Sequence, residues 1–569
     1  MALHLVIAIL LSDVVYICMS FRPPFAGRVG RSSFALFEYD PWSPLKKLFE
    51  GGNSKSSSST PKSNSIPAGR VIATEAVVVG AGISGCTAAY YLLKSGVEVL
   101  LTESRDELGG NLISKKADGF LWEEGPNSFQ PTPTILRLAK DIDMIDDLVV
   151  SNPSLSRLVY WEGNLCALPG KWGDLARFSL LSWPGKVRAG LGLLGFIAPK
   201  PDQEETVAEF ATRHLGSEAF ERVIDPFVSV VYSGDSKKLS MKAALKKYKA
   251  LEDIGATNGL LDGAIVTVQQ LNAEREMNAD RDADLPSVPG GSVCSFKDGL
   301  QSMPLQMEKL LGPDKVKKNH KLVNVQQDRN QWITTFMVGS KIVRYRSKAL
   351  ILTSPAYVTA PILKEVVPKA MQLDSIYYPP IASVTLAYPN EHLLEPDRQG
   401  FGTFIPRSQK IRTLGTFWLT SLFPGRTPEG YSMFLNFIGG AEDPDITNLS
   451  AEEIVAEVHK DVQRTLLKPD APLPEVLGVK LWPRAIPQYN KGHLEMLAEV
   501  ENEVQKFPGL YLGGNYKTGI ALGDCVQFGV EVAGEVETYL SVTDVAENIA
   551  SSDDIVVPTR TVEKISSIS

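Results

Sequence analysis

Ala76–Val79 is a short apolar, β-branched run, followed at once by the glycine turn Gly80-Ala81-Gly82-Ile83-Ser84-Gly85, a helix-compatible stretch Cys86–Ser95, the breaker Gly96 and a second run, Val97–Thr102, ending on Glu103. A strand, a glycine turn, a helix and a strand in this register predict a βαβ unit of a parallel sheet. Gly80 permits the tight turn, Gly82 lets a diphosphate approach the backbone, and Gly85 allows the helix to pack closely on the strand, while the helix N-terminus attracts the anion. Glu103 stands eighteen residues beyond Gly85, where a carboxylate accepts both ribose hydroxyls of an adenosine and disfavours a 2′-phosphate. The alternative reading is a tight turn of structural glycines.

Two further glycine clusters separate FAD from NAD. Gly109-Gly110-Asn111 follows the ribose acid and resembles the double-glycine extension of FAD oxidoreductases, which a simple NAD dehydrogenase does not need. Near the other end, Leu510–Leu512 reads as a strand leading into Gly513-Gly514-Asn515-Tyr516, then Gly519-Ile520-Ala521-Leu522-Gly523 and a helical run to about residue 540. Its backbone amides suit the diphosphate, ribityl chain or isoalloxazine edge of a flavin; taken alone it is an ordinary βα unit. With its halves so far apart, the FAD domain is expected to be discontinuous.

Composition excludes other classes. With 569 residues, 44% hydrophobic and 22% charged, the chain buries a large core and is not a disordered or disulfide-stapled type. A net charge of −8 without a Lys/Arg cluster argues against nucleic-acid partners. Cys18, Cys86, Cys166, Cys294 and Cys525 form no CxxC pair, and the six histidines stand singly, so no metal site is expected and a reducing compartment is.

The first seventy residues differ from the rest, with eight Lys/Arg against four Asp/Glu. Residues 2–12 are almost wholly apolar, Cys18 and Ser20 offer a small-x-small cleavage pattern before Phe21, and Phe21–Phe37 holds Arg22, Arg28 and Arg31 but no acid. This reads as a signal peptide followed by a plastid transit peptide, against a plain secretory or mitochondrial presequence. The Ser-rich segment 51–66 reads as a linker. Beyond it no apolar run is long enough to span a bilayer.

The segment Phe120–Gln130, reading FLWEEGPNSFQ, resembles the plastid protoporphyrinogen oxidases, FAD-dependent members of the amine-oxidase-like flavoproteins. Phe227-Val228-Ser229 with Tyr232 and Gly234-Asp235, Leu239-Ser240-Met241, Trp482–Tyr489, Gly513–Tyr516 and Cys525-Val526 agree with it in order. The resemblance implies oxidation of protoporphyrinogen IX in three two-electron hydride steps to the flavin, with O2 as acceptor and H2O2 as product. A carotenoid desaturase-like FAD oxidoreductase and a non-enzymatic carrier are the competing readings. It implies cofactor contacts at Gly80, Ala81, Gly82, Ile83, Ser84, Gly85, Glu103, Ser104, Gly110, Asn111, Gly125, Pro126, Asn127, Val323, Trp482, Gly514, Ile520, Ala521 and Leu522. No side chain is expected to act as acid or base, because the flavin carries the redox chemistry.

For the substrate, the resemblance places Arg157 where a guanidinium pairs with a propionate, Trp418 where relatives stack a Phe on the macrocycle, and Phe404 at an aliphatic slot position. The alternatives are a solvated surface arginine and two core aromatics. Val230 departs from a usual Gly, adding bulk and restricting the backbone; Gln527 replaces a common acid.

The expected fold is α/β: a discontinuous Rossmann-like FAD-binding domain, a mixed-sheet substrate domain and a helical membrane-associated lobe. The boundaries are 1–70 for presequence and linker, 71–156 for the first FAD part, 157–245 for the lobe and 246–345 for the second FAD part, with a solvated insertion loop at Asn272–Asp284. Residues 346–490 form the substrate domain, 491–542 the third FAD part, and 543–569 a flexible tail. Phe178–Phe196 mixes Leu and Trp with Lys186 and Arg188, a pattern of a helix in a bilayer interface or of core packing. The resemblance favours peripheral attachment to a membrane, on the stromal side of a plastid, and leaves a homodimer open.

Overall fold

The computed structural model describes residues 71–551, apart from 171–173, 175–177 and 256–258, with side chains to residue 544. The presequence reading therefore lies outside the described residues.

Val316–Lys317, Val99–Thr102, Ala76–Val79, Ala349–Leu352 and Leu510–Leu512 form, in that spatial order, an all-parallel five-stranded sheet. Ala76–Val79 is buried along its whole length, as expected of a parallel strand covered on both faces. Alternation splits it: Ala76 and Val78 pack with Cys86, Leu92 and Val526 of the helices Ile83–Lys94 and Leu522–Ser551. Val77 and Val79 face Trp332, Phe336 and Ala360 on the other side. That second layer combines the helix Ala356–Leu363, which carries Ala360, with a four-stranded sheet ordered Val71–Ala73, Lys341–Ser347, Gln331–Val338 and Lys321–Asp328. Strands from three distant stretches of chain thus build one three-layer domain.

A seven-stranded mixed sheet stands beside it, in the order Glu475–Trp482, Ile381–Pro389, Tyr431–Gly439, Thr413–Trp418, Gly402–Phe404, Arg157–Trp161 and Asn164–Ala167. One face packs on the helix Ala451–Leu466 through Ile454, Val458 and Val462. The other meets a helical lobe through Val159, Phe404 and Leu414. The lobe spans Trp183–Leu193 to Ala279–Asp282.

Several expected boundaries move. Arg157–Trp161 and Asn164–Ala167, expected in the helical lobe, are strands of the large sheet, because Gly402 and Phe404 pair in parallel with Arg157 and Val159. Ala349–Leu352, expected in the substrate domain, is an interior strand of the five-stranded parallel sheet. The charged run expected as a loop is helix, Leu260–Met277 and Ala279–Asp282; its solvated face is pinned by Arg137 and Lys140, both paired with Asp284. The last helix runs to Ser551, so the segment expected to be flexible from 543 begins as helix.

The two sheets meet at the end of Phe120–Glu123. Glu123 is fully buried, accepts hydrogen bonds from Ser114 Oγ at 2.6 Å and Leu300 N at 2.9 Å, and lies 3.7 Å from Nη1 of buried Arg426. Arg426 in turn donates to Ser295 Oγ and Phe296 O. Burial pushes the Glu123 carboxyl up to about 7, against the pull of Arg426 and the two donors. Glu123→Ala, which strands the guanidinium, should cost roughly 3–5 kcal/mol in chemical unfolding. The raised pKa fixes a sign as well: between about 4.5 and 7 the folded state binds the extra proton, so the Glu123 contribution to stability falls as pH rises. Glu123→Gln should remove that fall, read as the pH dependence of the difference in Tm from wild type.

Candidate functional site

The strand Ala76–Val79 ends in a backbone crossing that admits no side chains. Gly80 has φ +99°, and a Cβ on Gly85 would lie 1.9 Å from the Gly80 carbonyl oxygen. Thr353, just past Ala349–Leu352, donates its hydroxyl to the carbonyls of Val79 and Gly80 at 2.9 and 3.0 Å. Gly82 differs: a Cβ there would meet nothing closer than Gly110 Cα at 3.9 Å. Its missing side chain is a space in front of a helix start that no side chain caps, which is a cradle for an anion.

Glu103 closes the next strand, 7% exposed. One carboxylate oxygen accepts from Ala81 N at 2.9 Å, the other from Ser104 Oγ and Arg105 N at 3.0 Å. The acid therefore braces the glycine turn. Gly109 N donates to Ala81 O at 2.9 Å, and Gly82 and Gly109 form a bridge, so the double-glycine segment lies against the first turn. A Cβ on Gly110 would come within 3.0 Å of Gly82 Cα.

The remaining cofactor positions divide. Gly125 lies against Asn111, where a Cβ would sit 2.0 Å from the Asn111 carbonyl oxygen. Asn127 is buried and accepts from Ser128 Oγ; Pro126 is exposed. Trp482 Nε1 and Ser383 Oγ both donate to the carbonyl of Glu124, at 3.0 and 2.5 Å, tying the large sheet to this loop. Gly514 has φ +119° and comes beside Thr353, so the second glycine turn adjoins the first. Ala521 and Leu522 are buried, and Ile520 packs against the lobe core. Val323 lies at a register shift between Leu322 and Asn324, with no residue opposite it and its side chain exposed, three residues beyond His320, whose backbone N–H donates to the Glu103 carbonyl at 2.7 Å. Burial pushes the Cys525 thiol up to about 12, leaving it an inert neighbour of the turn. Gln527 accepts from Thr134 Oγ1 and donates to Glu531.

On the large sheet, Arg157 is 8% exposed, with its guanidinium 4.7 Å from the Phe401 ring centre and Nη2 donating to Gly291 O. A solvated surface arginine it is not. Phe404 shares its face, two residues along the paired strand, and meets Phe227 edge to face. Val230 lies in the ordinary helix Asp225–Val231, so no glycine conformation is needed there; its methyl packs where a Gly415 side chain would stand.

Trp418 requires correction. Side chains alternate along a strand, and Trp418 falls on the opposite face from Arg157 and Phe404, packed with Leu158, Phe434 and Val458. The residue on the Arg157 face is its neighbour Phe417, paired with Gly402 and in edge contact with Phe401 and Phe437. Sequence reasoning missed Phe401 and Phe417; a register shift between Thr413 and Gly415 breaks the period of two along this strand, so alternation alone does not assign its faces.

The profile of the family "flavin containing amine oxidoreductase" matches residues 83–537. This chain belongs to that family. Among its relatives, the chloroplastic protoporphyrinogen oxidase of Oryza sativa subsp. japonica is 43% identical, across 83% of this chain and 90% of the relative. That of Nicotiana tabacum is 40% identical, across 85% and 89%. The fold resembles a crystal structure from Exiguobacterium sp. 255-15, provisionally assigned as a protoporphyrinogen oxidase, with TM-score 0.66 and 22% identity over 82% of this chain and 99% of that one. Family membership makes the chain a flavoprotein with FAD as its cofactor. Gly82→Val should abolish retention of FAD, read as flavin absorbance per protein, with an unchanged far-UV circular dichroism spectrum. Gly85→Ala should instead lose the fold.

Proposed function

We propose that the chain oxidises protoporphyrinogen IX to protoporphyrin IX in three two-electron hydride steps, with O2 as the final acceptor and H2O2 as product, in tetrapyrrole synthesis within a plastid. The observation that carries this is the identity of 43% with the rice enzyme over nine-tenths of its length, on a chain that sets a buried arginine over an aromatic wall. Bound FAD supplies the two-electron acceptor.

The chain's own residues bind and orient. Phe401, Phe417 and Phe437 form a continuous edge-to-face series, and Phe404 extends the apolar surface on the same face. A tetrapyrrole is held on such a wall by burial and dispersion. Arg157 stands at its border, where a planar guanidinium can take a propionate through two hydrogen bonds. A desaturase acting on a hydrocarbon has no carboxylate for it. Arg157→Ala should raise KM for protoporphyrinogen IX roughly tenfold to hundredfold, the loss expected of a charged hydrogen bond, with flavin content unchanged. Arg157→Lys should recover part of it.

The helical lobe supports a second element of the reading, peripheral attachment to a membrane. Trp183, Val187, Leu191, Leu194 and Phe196 are exposed along Trp183–Leu193 and its C-terminal end, with Trp183 and Phe196 about 70% open. Spacings of three and four put the helical residues on one side, and Lys186 stands 4.8 Å over the Trp183 ring. Leu180 and Leu193 are core instead, and Arg188 turns inward to the carbonyls of Arg213 and His214. Among the described residues no helix is long and apolar enough to cross a membrane. A face of this kind lies in the bilayer interface. The double variant Trp183→Glu, Leu191→Glu should stop co-sedimenting with lipid vesicles while keeping wild-type kcat in detergent.

A further inference from the structure

The second glycine turn is held by two aromatic side chains that belong to neither of its flanking elements. Tyr489 ends the segment Trp482–Tyr489, and His493 opens the helix His493–Val504. Their rings stack, 4.4 Å between centres and 16° from parallel, and both residues are buried. The Tyr489 hydroxyl donates to the Asn515 carbonyl, and His493 Nε2 donates to the Tyr516 carbonyl at 2.9 Å. A carbonyl only accepts, so the imidazole proton sits on Nε2. Burial pushes His493 down to about 4, so it is neutral at physiological pH.

These two bonds decide which way the peptides face. In a planar trans peptide the C=O and N–H point in opposite directions, so fixing the Asn515 oxygen on Tyr489 sends the Tyr516 N–H the other way. Lys517 N and Thr518 N are used within the turn, both on Gly514 O. Among the described residues the Asn515 and Tyr516 N–H groups donate to no protein acceptor. Two adjacent free amides next to a glycine with φ +119° suit an electron-rich oxygen, a phosphate or a flavin carbonyl.

We propose that Tyr489 and His493 are positioning residues for the cofactor: Tyr489 fixes the Asn515–Tyr516 peptide and so aims its free Tyr516 N–H at bound FAD, while His493 fixes the next peptide, whose Lys517 N–H closes the turn on Gly514 O, and so holds the turn in that orientation. The inference rests on the assignment of this turn to FAD. The pair is itself anchored outside the cofactor domain. Tyr489 O accepts from Ser240 N at 2.8 Å, and Gln488 Nε2 donates to Tyr232 O at 2.8 Å, both in the helical lobe. The orientation of the turn is thereby set by the lobe that borders the substrate face.

Tyr489→Phe and His493→Phe keep an aromatic stack and delete one donor each. In full-length apoprotein titrated with FAD, each should raise Kd roughly tenfold and alter the visible circular dichroism of the bound flavin. His493→Gln, which keeps a donor, should recover part of both. Wild-type Kd and an unchanged flavin spectrum in both Phe variants, even with a lowered Tm, would overturn the positioning role and leave the cofactor assignment standing. A wild-type chain that binds no FAD would instead remove the assignment on which the inference rests. If His493→Phe fails to fold, Tyr489→Phe, which loses a single oxygen, decides alone: a raised Kd with an altered flavin spectrum supports the role, and wild-type values for both overturn it.

Discussion

The carbonyl oxygen of Gly80 stands where a side chain at position 85 would begin, 1.9 Å from an idealised Cβ, and much of the molecule is arranged around that crossing. Because strand and helix touch backbone to backbone, the helix Ile83–Lys94 starts directly over the sheet edge with its first amides uncapped. Thr353 and Glu103 then brace the turn from either side, one through its hydroxyl and the other through its carboxylate. The double-glycine segment can lie on the first turn because Gly110 carries no Cβ, which would come within 3.0 Å of Gly82 Cα. Removing bulk from five or six positions creates the anion site, and adding bulk to any of them closes it or pushes the helix off the strand.

A second set of constraints joins the two sheets through few, well-buried polar groups. Glu123 and Arg426 meet while both are buried, and the neighbouring Glu124 carbonyl receives both Trp482 Nε1 and Ser383 Oγ. Unpaired, each of these groups would be costly to bury, so together they specify one docking of the large sheet on the cofactor domain. Ile520, beside the second glycine turn, packs against the core cluster that holds Phe404 and Val230.

The cofactor half was largely legible in the sequence because its determinants are local. Gly80, Gly82, Gly85 and Glu103 lie on one βαβ unit, and the period of the apolar residues gives their register directly. The substrate half was less so. Arg157 was singled out by resemblance, but its membership of the large sheet depends on pairing with Gly402, some 245 residues away, which no local pattern encodes. Trp418 was misjudged because alignment to relatives carries residue type without the face of the strand. The run Asn272–Asp284 was mistaken for a loop because charge density was weighed above helix propensity: Glu, Arg, Met and Ala are good helix formers even where nothing apolar faces a core.

The order of the five-stranded sheet has a consequence for biosynthesis. Ala349–Leu352 pairs on one side with Ala76–Val79 and on the other with Leu510–Leu512, so the second glycine turn has no place to dock until nearly the whole polypeptide exists. Contacts this distant in sequence form late and slowly. A nascent or truncated chain ending before residue 510 would own the ribose acid and the first turn yet lack the strand that delivers the second. The five-stranded sheet, and with it the meeting of the two glycine turns, is complete only when both ends of the chain have come together.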